Sequence, residues 1–131
     1  MARGPSTTGG RVRTAVRSVL ASRAELEASE ERRSTERSGC TPVRELTDRR
    51  RAELFGVLRS VTLRPRNNVP ALEAELYDGT GSVQVVWLGQ RRIAGVEPGR
   101  RVRLEGLVSV RDGRPVIYNP RYSLVPKSGE R

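Results

Sequence analysis

Apolar and polar residues alternate with a period of two along two neighbouring segments in the middle of the chain, 72–77 and 82–88. The apolar positions on one phase of the two segments are Leu72, Ala74, Leu76, Val83, Val85 and Trp87. Between the segments lies Asp-Gly-Thr-Gly at 78–81, where Asp can bond its own backbone and Gly accepts a positive φ. This pattern predicts two antiparallel strands joined by a tight turn.

Three further strands are predicted around this hairpin. Residues 52–64 form a long strand that contains Gly56, and residues 101–111 form another that contains Gly106. The Asp-Gly pair at 112–113 marks a turn before a short strand over 114–118. Because glycine inside a strand often marks a bulge or a barrel corner, we expect a register shift near Gly56. That shift would bring Leu54, Val57 and Val61 into the core, and the five strands predict a closed antiparallel Greek-key barrel.

These motifs resemble the OB-fold nucleic-acid-binding domain found in tRNA-anticodon-binding modules and in the wedge domain of branch-migrating DNA helicases. The resemblance covers residues 50–124 and is carried by Gly56, the turn at 78–81, the Pro-Gly pair at 98–99 and Gly106. The whole chain is similar to stand-alone OB-fold proteins of actinobacteria through segments 63–66, 87–95 and 118–122. The resemblance implies a plug segment at 90–99 and a nucleic-acid partner. It specifies the fold better than the ligand, because such barrels also bind oligosaccharides and proteins.

The first fifty residues have a different character. Residues 1–10 are rich in Gly, Ser, Thr and Pro and are predicted to be a disordered tail, as are residues 126–131. A helical spacing of apolar residues begins at Arg11, and residues 25–37 are almost wholly charged, so we expect the 24–40 region to be only partly fixed. The predicted domains are a helical extension and linker over 11–50 and an OB-fold domain over 51–125. The helix either rests on the barrel or binds a protein partner.

The distribution of charge indicates where a polyanion would bind. The net charge is +10, with 25 basic residues of which only Lys127 is lysine. Residues 52–78 are net acidic, whereas residues 79–127 hold nine basic residues against three acidic ones. Such a field attracts phosphate backbones. We therefore predict a basic groove formed by the third-to-fourth strand connection, strand four and the loop after it, joined by Arg64 and Arg66.

Several functional classes have no support in the sequence. One cysteine and no histidine argue against a disulfide framework and a His-containing zinc site. Nucleophile–base pairs and Gly-rich phosphate loops are missing, so we expect no enzyme activity, no cofactor and no metal. We find no apolar run of membrane-spanning length and no secretory segment, and we therefore expect a cytoplasmic protein that does not bind membranes.

Two functions remain: a nucleic-acid-binding module for single-stranded or structured DNA or RNA, and a protein-interaction adaptor that uses the barrel or the helix. For the first function, the candidate contact residues are Arg64, Arg66, Asn67, Arg91, Arg92, Arg111, Arg114, Tyr118 and Arg121. Arginine pairs with phosphate bidentately, and a tyrosine ring can stack on a base. Arg91 and Arg92 rank lower, because the plug segment is expected at the other end of the barrel. Glu73 and Glu75, on the outward phase of strand two, would repel phosphates.

Overall fold

The computed structural model describes residues 4–127, with side chains described over 17–127. The elements of this part of the chain are α1 (Gly4–Ser38), a 3₁₀ turn (Val43–Glu45), β1 (Arg50–Leu63), β2 (Ala71–Tyr77), β3 (Ser82–Leu88), β4 (Arg101–Arg111), β5 (Arg114–Tyr118) and β6 (Arg121–Leu124). Of the predicted tails, residues 1–3 and 128–131 lie outside this description, and residues 126 and 127 belong to no helix or strand. Residues 4–10 belong to α1, so the helix begins at Gly4 and not at the predicted Arg11.

Strands β1 to β5 close into a barrel in the order β1-β2-β3-β5-β4, and β4 pairs back with β1. The first half of β1 pairs with β4 and its second half with β2. The prediction of a five-stranded Greek-key barrel with a helical N-terminal extension is therefore confirmed. One pairing, β3 with β5, is parallel, so the barrel is mixed and the expected wholly antiparallel sheet is wrong. A closed ring with an odd number of strands cannot alternate direction throughout, so at least one parallel pair is required.

The strand that the sequence analysis missed is β6, which pairs with the first half of β4. Only four residues long, it follows Asn119 and Pro120, and it shows no clear alternation of apolar and polar residues. The connection between β3 and β4 contains no helix and places Val96 in the core, with Ile93 packed against it. That connection therefore closes the barrel as a loop.

The barrel core contains apolar side chains from every strand of the closed ring. Its buried strand positions are Leu54, Leu58, Leu72, Ala74, Leu76, Val83, Val85, Trp87, Val102, Leu104, Val108 and Ile117. The register of β1 shifts between Leu58 and Ser60, a little after the predicted position at Gly56. Leu58 is consequently fully buried, and Val57, which was predicted to be core, is only half-buried.

Gly56 has a different role from the predicted bulge. A Cβ atom at this position would lie 2.4 Å from the carbonyl oxygen of Tyr77. Gly56 stands where β1 leaves β4 and joins β2, so the missing side chain lets the backbones approach at this corner.

The C-terminal part of α1 packs against the barrel. Thr35, which is 1% exposed, donates a hydrogen bond from Oγ1 to the carbonyl oxygen of Asp78 at 3.1 Å. Glu31 accepts two hydrogen bonds from Arg101, at 2.8 and 2.6 Å. The helix ends at Ser38 and is followed by Gly39, where φ is 75°. Glu31 and Thr35 thus attach the end of the helix to the barrel, and how firmly the 24–40 region is fixed stays a prediction.

Candidate functional site

A cleft of about 500 Å³ lies on the outer face of the barrel. It crosses β1, β2 and β3, and the β4–β5 hairpin closes one side. The lining residues are Ser60, Thr62, Arg64, Glu73, Ala74, Glu75, Ser82, Val83, Gln84, Gly113, Arg114 and Pro115. The lining of the cleft is mostly polar, because the outward phase of each strand carries hydroxyl, amide and carboxylate groups. The alternation that sends Leu72, Ala74 and Leu76 inward therefore also builds the floor of the cleft.

The first loop of the barrel continues the β1–β2 hairpin. Arg64 and Ala71 exchange backbone hydrogen bonds at 2.8 and 3.1 Å, and Arg66 and Val69 exchange them at 2.7 and 2.9 Å. Asn67 and its neighbour have φ values of 49° and 65°, which are those of a type I′ turn. The predicted contact Asn67 consequently lies exposed at the tip of a regular hairpin.

Glu73 is the centre of a polar network in the cleft floor. Its Oε1 atom accepts hydrogen bonds from Arg66 and, at 3.0 Å, from the Nε2 atom of Gln84. Its Oε2 atom lies 3.7 Å from the Nε atom of Arg64. The hydrogen bond to Glu73 raises the pKa of the Arg66 guanidinium. With only 8% of its side chain exposed, Glu73 is a buried carboxylate whose charge is compensated. It fixes Arg66 through hydrogen bonds, whereas the exposed Arg64 has only the longer ion pair.

Two tyrosine rings on this face of the barrel are covered by guanidinium groups. The Cζ atom of Arg59 lies 3.5 Å from the centre of the Tyr77 ring, and that of Arg66 lies 6.0 Å from the centre of the Tyr118 ring. Tyr118, a predicted contact, packs against a small apolar cluster that includes Val86. A strand approaching this face would therefore first meet guanidinium planes, which also stack on bases.

The last hairpin places two arginines opposite each other. Arg111 and Arg114 are cross-strand partners on either side of a turn formed by Asp112 and Gly113, whose φ values are 52° and 74°. Both arginines are exposed, and their side chains form no hydrogen bond or ion pair with another described residue. Like charges directly opposite in a sheet are destabilising, and a bound anion would relieve the repulsion. Arg114 also lines the cleft, so the structure brings it to the same site as Arg64.

The remaining predicted contacts lie outside the cleft. Arg91 and Arg92 are exposed on the β3–β4 connection, which starts beside the first loop because the amide of Gly89 donates to the carbonyl oxygen of Pro70. The plug segment was expected at the opposite end of the barrel from the first loop, and its observed start beside that loop differs from this expectation. Arg92 lines a second, smaller cleft that also contains Trp87. Arg121 lies on β6, where its cross-strand partner is Glu105.

The predicted basic groove takes a different form in the structure. Arg101 of strand four binds Glu31, and Arg103 donates hydrogen bonds to the Sγ atom of Cys40 at 2.9 Å and to the carbonyl oxygen of Ser38 at 3.5 Å. These two arginines therefore hold α1 and the segment after it. The cleft itself has an acidic floor and a basic rim.

Sequence reasoning missed two groups on this face of the barrel. Arg59 follows the buried Leu58 at the register shift in β1, and its place over Tyr77 depends on that shift. The alternation of apolar and polar residues does not reveal where the shift occurs. Gln84 was detectable in principle, because it stands on the outward phase of β3 and is the cross-strand partner of Glu75.

Two further features concern a membrane and a metal ion. Among the described residues, no helix combines the length and apolarity needed to cross a membrane. Within the same residues, histidine, cysteine, aspartate and glutamate form no group of three or more suited to hold a metal ion.

Comparison with known proteins identifies the barrel. No curated protein matches the chain. RecG, in a structure bound to a three-way DNA junction, shares 25% identity and a TM-score of 0.53; the match covers 66% of this chain and 12% of RecG. A replication protein A heterotrimer bound to ssDNA matches with 19% identity and a TM-score of 0.47, over 59% of this chain and 58% of that one. The tRNA anti-codon family model, described as an OB-fold nucleic acid binding domain, matches residues 52–127, and the chain belongs to that family.

Proposed function

We propose that the protein binds single-stranded or locally unpaired DNA or RNA in the cleft between the first and last loops of the barrel, without catalysing a reaction on it. One observation carries the proposal: Arg64 and Arg114 stand at the same polar cleft, with Arg111 directly opposite Arg114 and free of any described partner. Guanidinium groups at the rim suit the phosphates of a strand whose bases enter the cleft. Membership of a nucleic-acid-binding family and the likeness to a DNA-bound RecG support this proposal.

The test is a variant in which Arg64, Arg111 and Arg114 are replaced by alanine. Arg66 stays, because its loss would leave the buried carboxylate of Glu73 without its main donor. Affinity for single-stranded DNA, duplex DNA and RNA is measured by fluorescence anisotropy between about 50 and 200 mM salt. We expect weaker binding to all sequences and a salt slope reduced by about 2, since each lost phosphate contact on a single strand removes about 0.7.

A matched control removes three charges elsewhere. Arg17, Arg23 and Arg33 are exposed on α1, outside the cleft, and alanine is compatible with a helix. This triple-alanine variant has the same net charge as the cleft variant and should keep most of the affinity and the slope. Equal losses in both variants would mean that only the total charge matters, and the cleft would then not be the binding site.

A second candidate function, the protein-interaction adaptor, is favoured by the exposed apolar residues of α1. Val19, Leu20 and Leu26 are 55%, 58% and 59% exposed. Exposed apolar groups along one helix suit a groove on a partner protein. If the wild-type protein is retained on neither DNA nor RNA at low salt, the adaptor function replaces nucleic-acid binding as the better proposal.

A further inference from the structure

The cleft has the composition of a surface that distinguishes bases. None of its twelve lining residues carries an aromatic ring. Stacking on aromatic rings tolerates every base, whereas hydrogen bonds to base edges do not. The groups available in the cleft are hydroxyls from Ser60, Thr62 and Ser82, together with the amide of Gln84 and two carboxylates. A base that enters here is therefore held chiefly through its edge.

The two carboxylates differ in what they can still accept. Glu73 already accepts from Arg66 and Gln84 through Oε1, forms an ion pair with Arg64 through Oε2, and is almost completely buried. Glu75, two residues further along the same face, is half-buried and lines the same cleft. Its side chain forms no hydrogen bond or ion pair with another described residue. Glu75 is thus the carboxylate in the floor that remains available to a ligand.

A free carboxylate in this position excludes some ligand groups and suits others. It repels phosphate, so a strand should turn its phosphates toward Arg64 and Arg114 at the rim and its bases toward the floor. A carboxylate has two acceptor oxygens and no donor. The Watson–Crick edge of guanine presents two adjacent donors, N1–H and the N2 amino group, which match the two oxygens.

The other bases match less well. Adenine and cytosine each present one amino donor beside a ring nitrogen that is an acceptor, and this acceptor would face the second carboxylate oxygen. Thymine and uracil present a single N–H between two carbonyl groups. Because hydrogen bonds to a carboxylate are charge-assisted, a missing donor or an opposed acceptor strongly lowers the affinity for the base.

We propose that Glu75 receives the N1–H and N2 amino groups of a guanine base, so that the cleft prefers strands with an unpaired guanine. The inference rests on the proposed nucleic-acid-binding function and names the base that the same cleft selects. Ser60, the cross-strand partner of Glu75 on β1, brings a hydroxyl to the same cleft, which can donate to O6 of the guanine.

The test uses short oligothymidylates with a single central base, which is guanine, inosine, adenine, cytosine or thymine. One guanine in a strand cannot form a quadruplex, and inosine lacks only the N2 amino group. Anisotropy should show that the wild-type protein binds the guanine strand about tenfold more tightly than the all-thymine strand, with inosine between them. The Glu75→Gln variant keeps the shape of the side chain, and its preference for guanine should fall to within about twofold, since the bidentate acceptor is gone.

The control is Glu36→Gln, which removes the same charge from an exposed position on α1. This variant should keep the full preference for guanine. If Glu75→Gln discriminates among the five strands as the wild type does, or if the wild type binds all five equally, the role of Glu75 is refuted while nucleic-acid binding stands. If the wild type binds none of them and no other DNA or RNA, the proposed function fails, and the inference fails with it.

Discussion

Gly79 offers the sharpest test of how α1 is attached to the barrel. A Cβ atom at this position would lie 2.4 Å from the carbonyl oxygen of Ala28 and 2.6 Å from the amide nitrogen of Arg32, both in α1. Neither backbone atom can move without displacing the helix. Gly79 also has a φ of 89°, which L-residues rarely adopt. The Gly79→Ala variant should therefore push α1 away from the β2–β3 turn.

The expected loss of stability has two parts. The left-handed conformation costs an alanine about 1–2 kcal/mol. Displacing the helix also breaks the hydrogen bonds from Arg32 to the carbonyl oxygen of Gly79, at 3.3 Å, and from Thr35 to that of Asp78. Each is worth about 0.5–1.5 kcal/mol. We therefore expect a total loss of about 2–5 kcal/mol in the free energy of unfolding.

Gly99→Ala is the matched control, because Gly99 has a φ of 90° and nothing lies within 4 Å of its would-be Cβ. This variant should lose only the part of the free energy of unfolding that comes from the left-handed backbone conformation, about 1–2 kcal/mol. Urea denaturation followed by the fluorescence of Trp87, the single tryptophan, measures both variants. Hydrogen exchange over residues 28–38 should accelerate in Gly79→Ala alone. Equal losses in the two variants, with unchanged exchange in α1, would refute this account of the helix contact.

Three further predictions concern the cleft, the core and the helix. Glu73→Gln removes the charge that holds the first-loop arginines, so binding to single-stranded DNA should tighten and the salt slope should steepen by about 0.7; an unchanged slope would contradict this. Trp87→Phe removes the hydrogen bond from the indole to the carbonyl oxygen of Pro120, at 3.3 Å, and should cost about 1–2 kcal/mol in urea denaturation followed by circular dichroism. Glu31→Gln weakens the bidentate pair with the partly exposed Arg101 and should cost about 1–2 kcal/mol; in a background that already lacks Arg101, the same substitution should no longer be destabilising, because it removes a buried carboxylate without a partner.

The strands were predictable because side chains on a strand alternate strictly between two faces. The bounds predicted for β4 and β5, 101–111 and 114–118, agree with those observed. The place of the register shift in β1 was not predictable, because Val57 and Leu58 are both apolar and either can face the core. A choice between two adjacent apolar residues depends on the strand pairing and not on the local pattern.

Polar contacts between distant segments were the main failure of sequence reasoning. Glu31 and Thr35 stand in a stretch that reads as solvated, yet both are buried against the barrel. Arg66 was predicted as a phosphate contact, and the sequence did not reveal that Glu73 binds it. Hydrophobic periodicity detects only the spacing of apolar residues. It cannot detect a polar side chain that is buried because a distant residue forms hydrogen bonds with it. The partner is far away along the chain in the case of Arg101, which lies seventy residues after Glu31.

Two groups of arginines in this structure have different surroundings. Those at the start of β4 bind the end of α1, and those at the rim of the cleft have exposed side chains. No described residue of α1 lines the cleft. The exposed apolar residues of the helix and the rim of the cleft therefore belong to separate surfaces. A protein on the helix would leave the cleft open to a nucleic acid. The sequence analysis treated nucleic-acid binding and protein interaction as alternatives. In the structure, α1 is held to the barrel through Glu31 and Thr35, and the two proposed surfaces do not overlap. The two proposed functions are therefore compatible in one molecule.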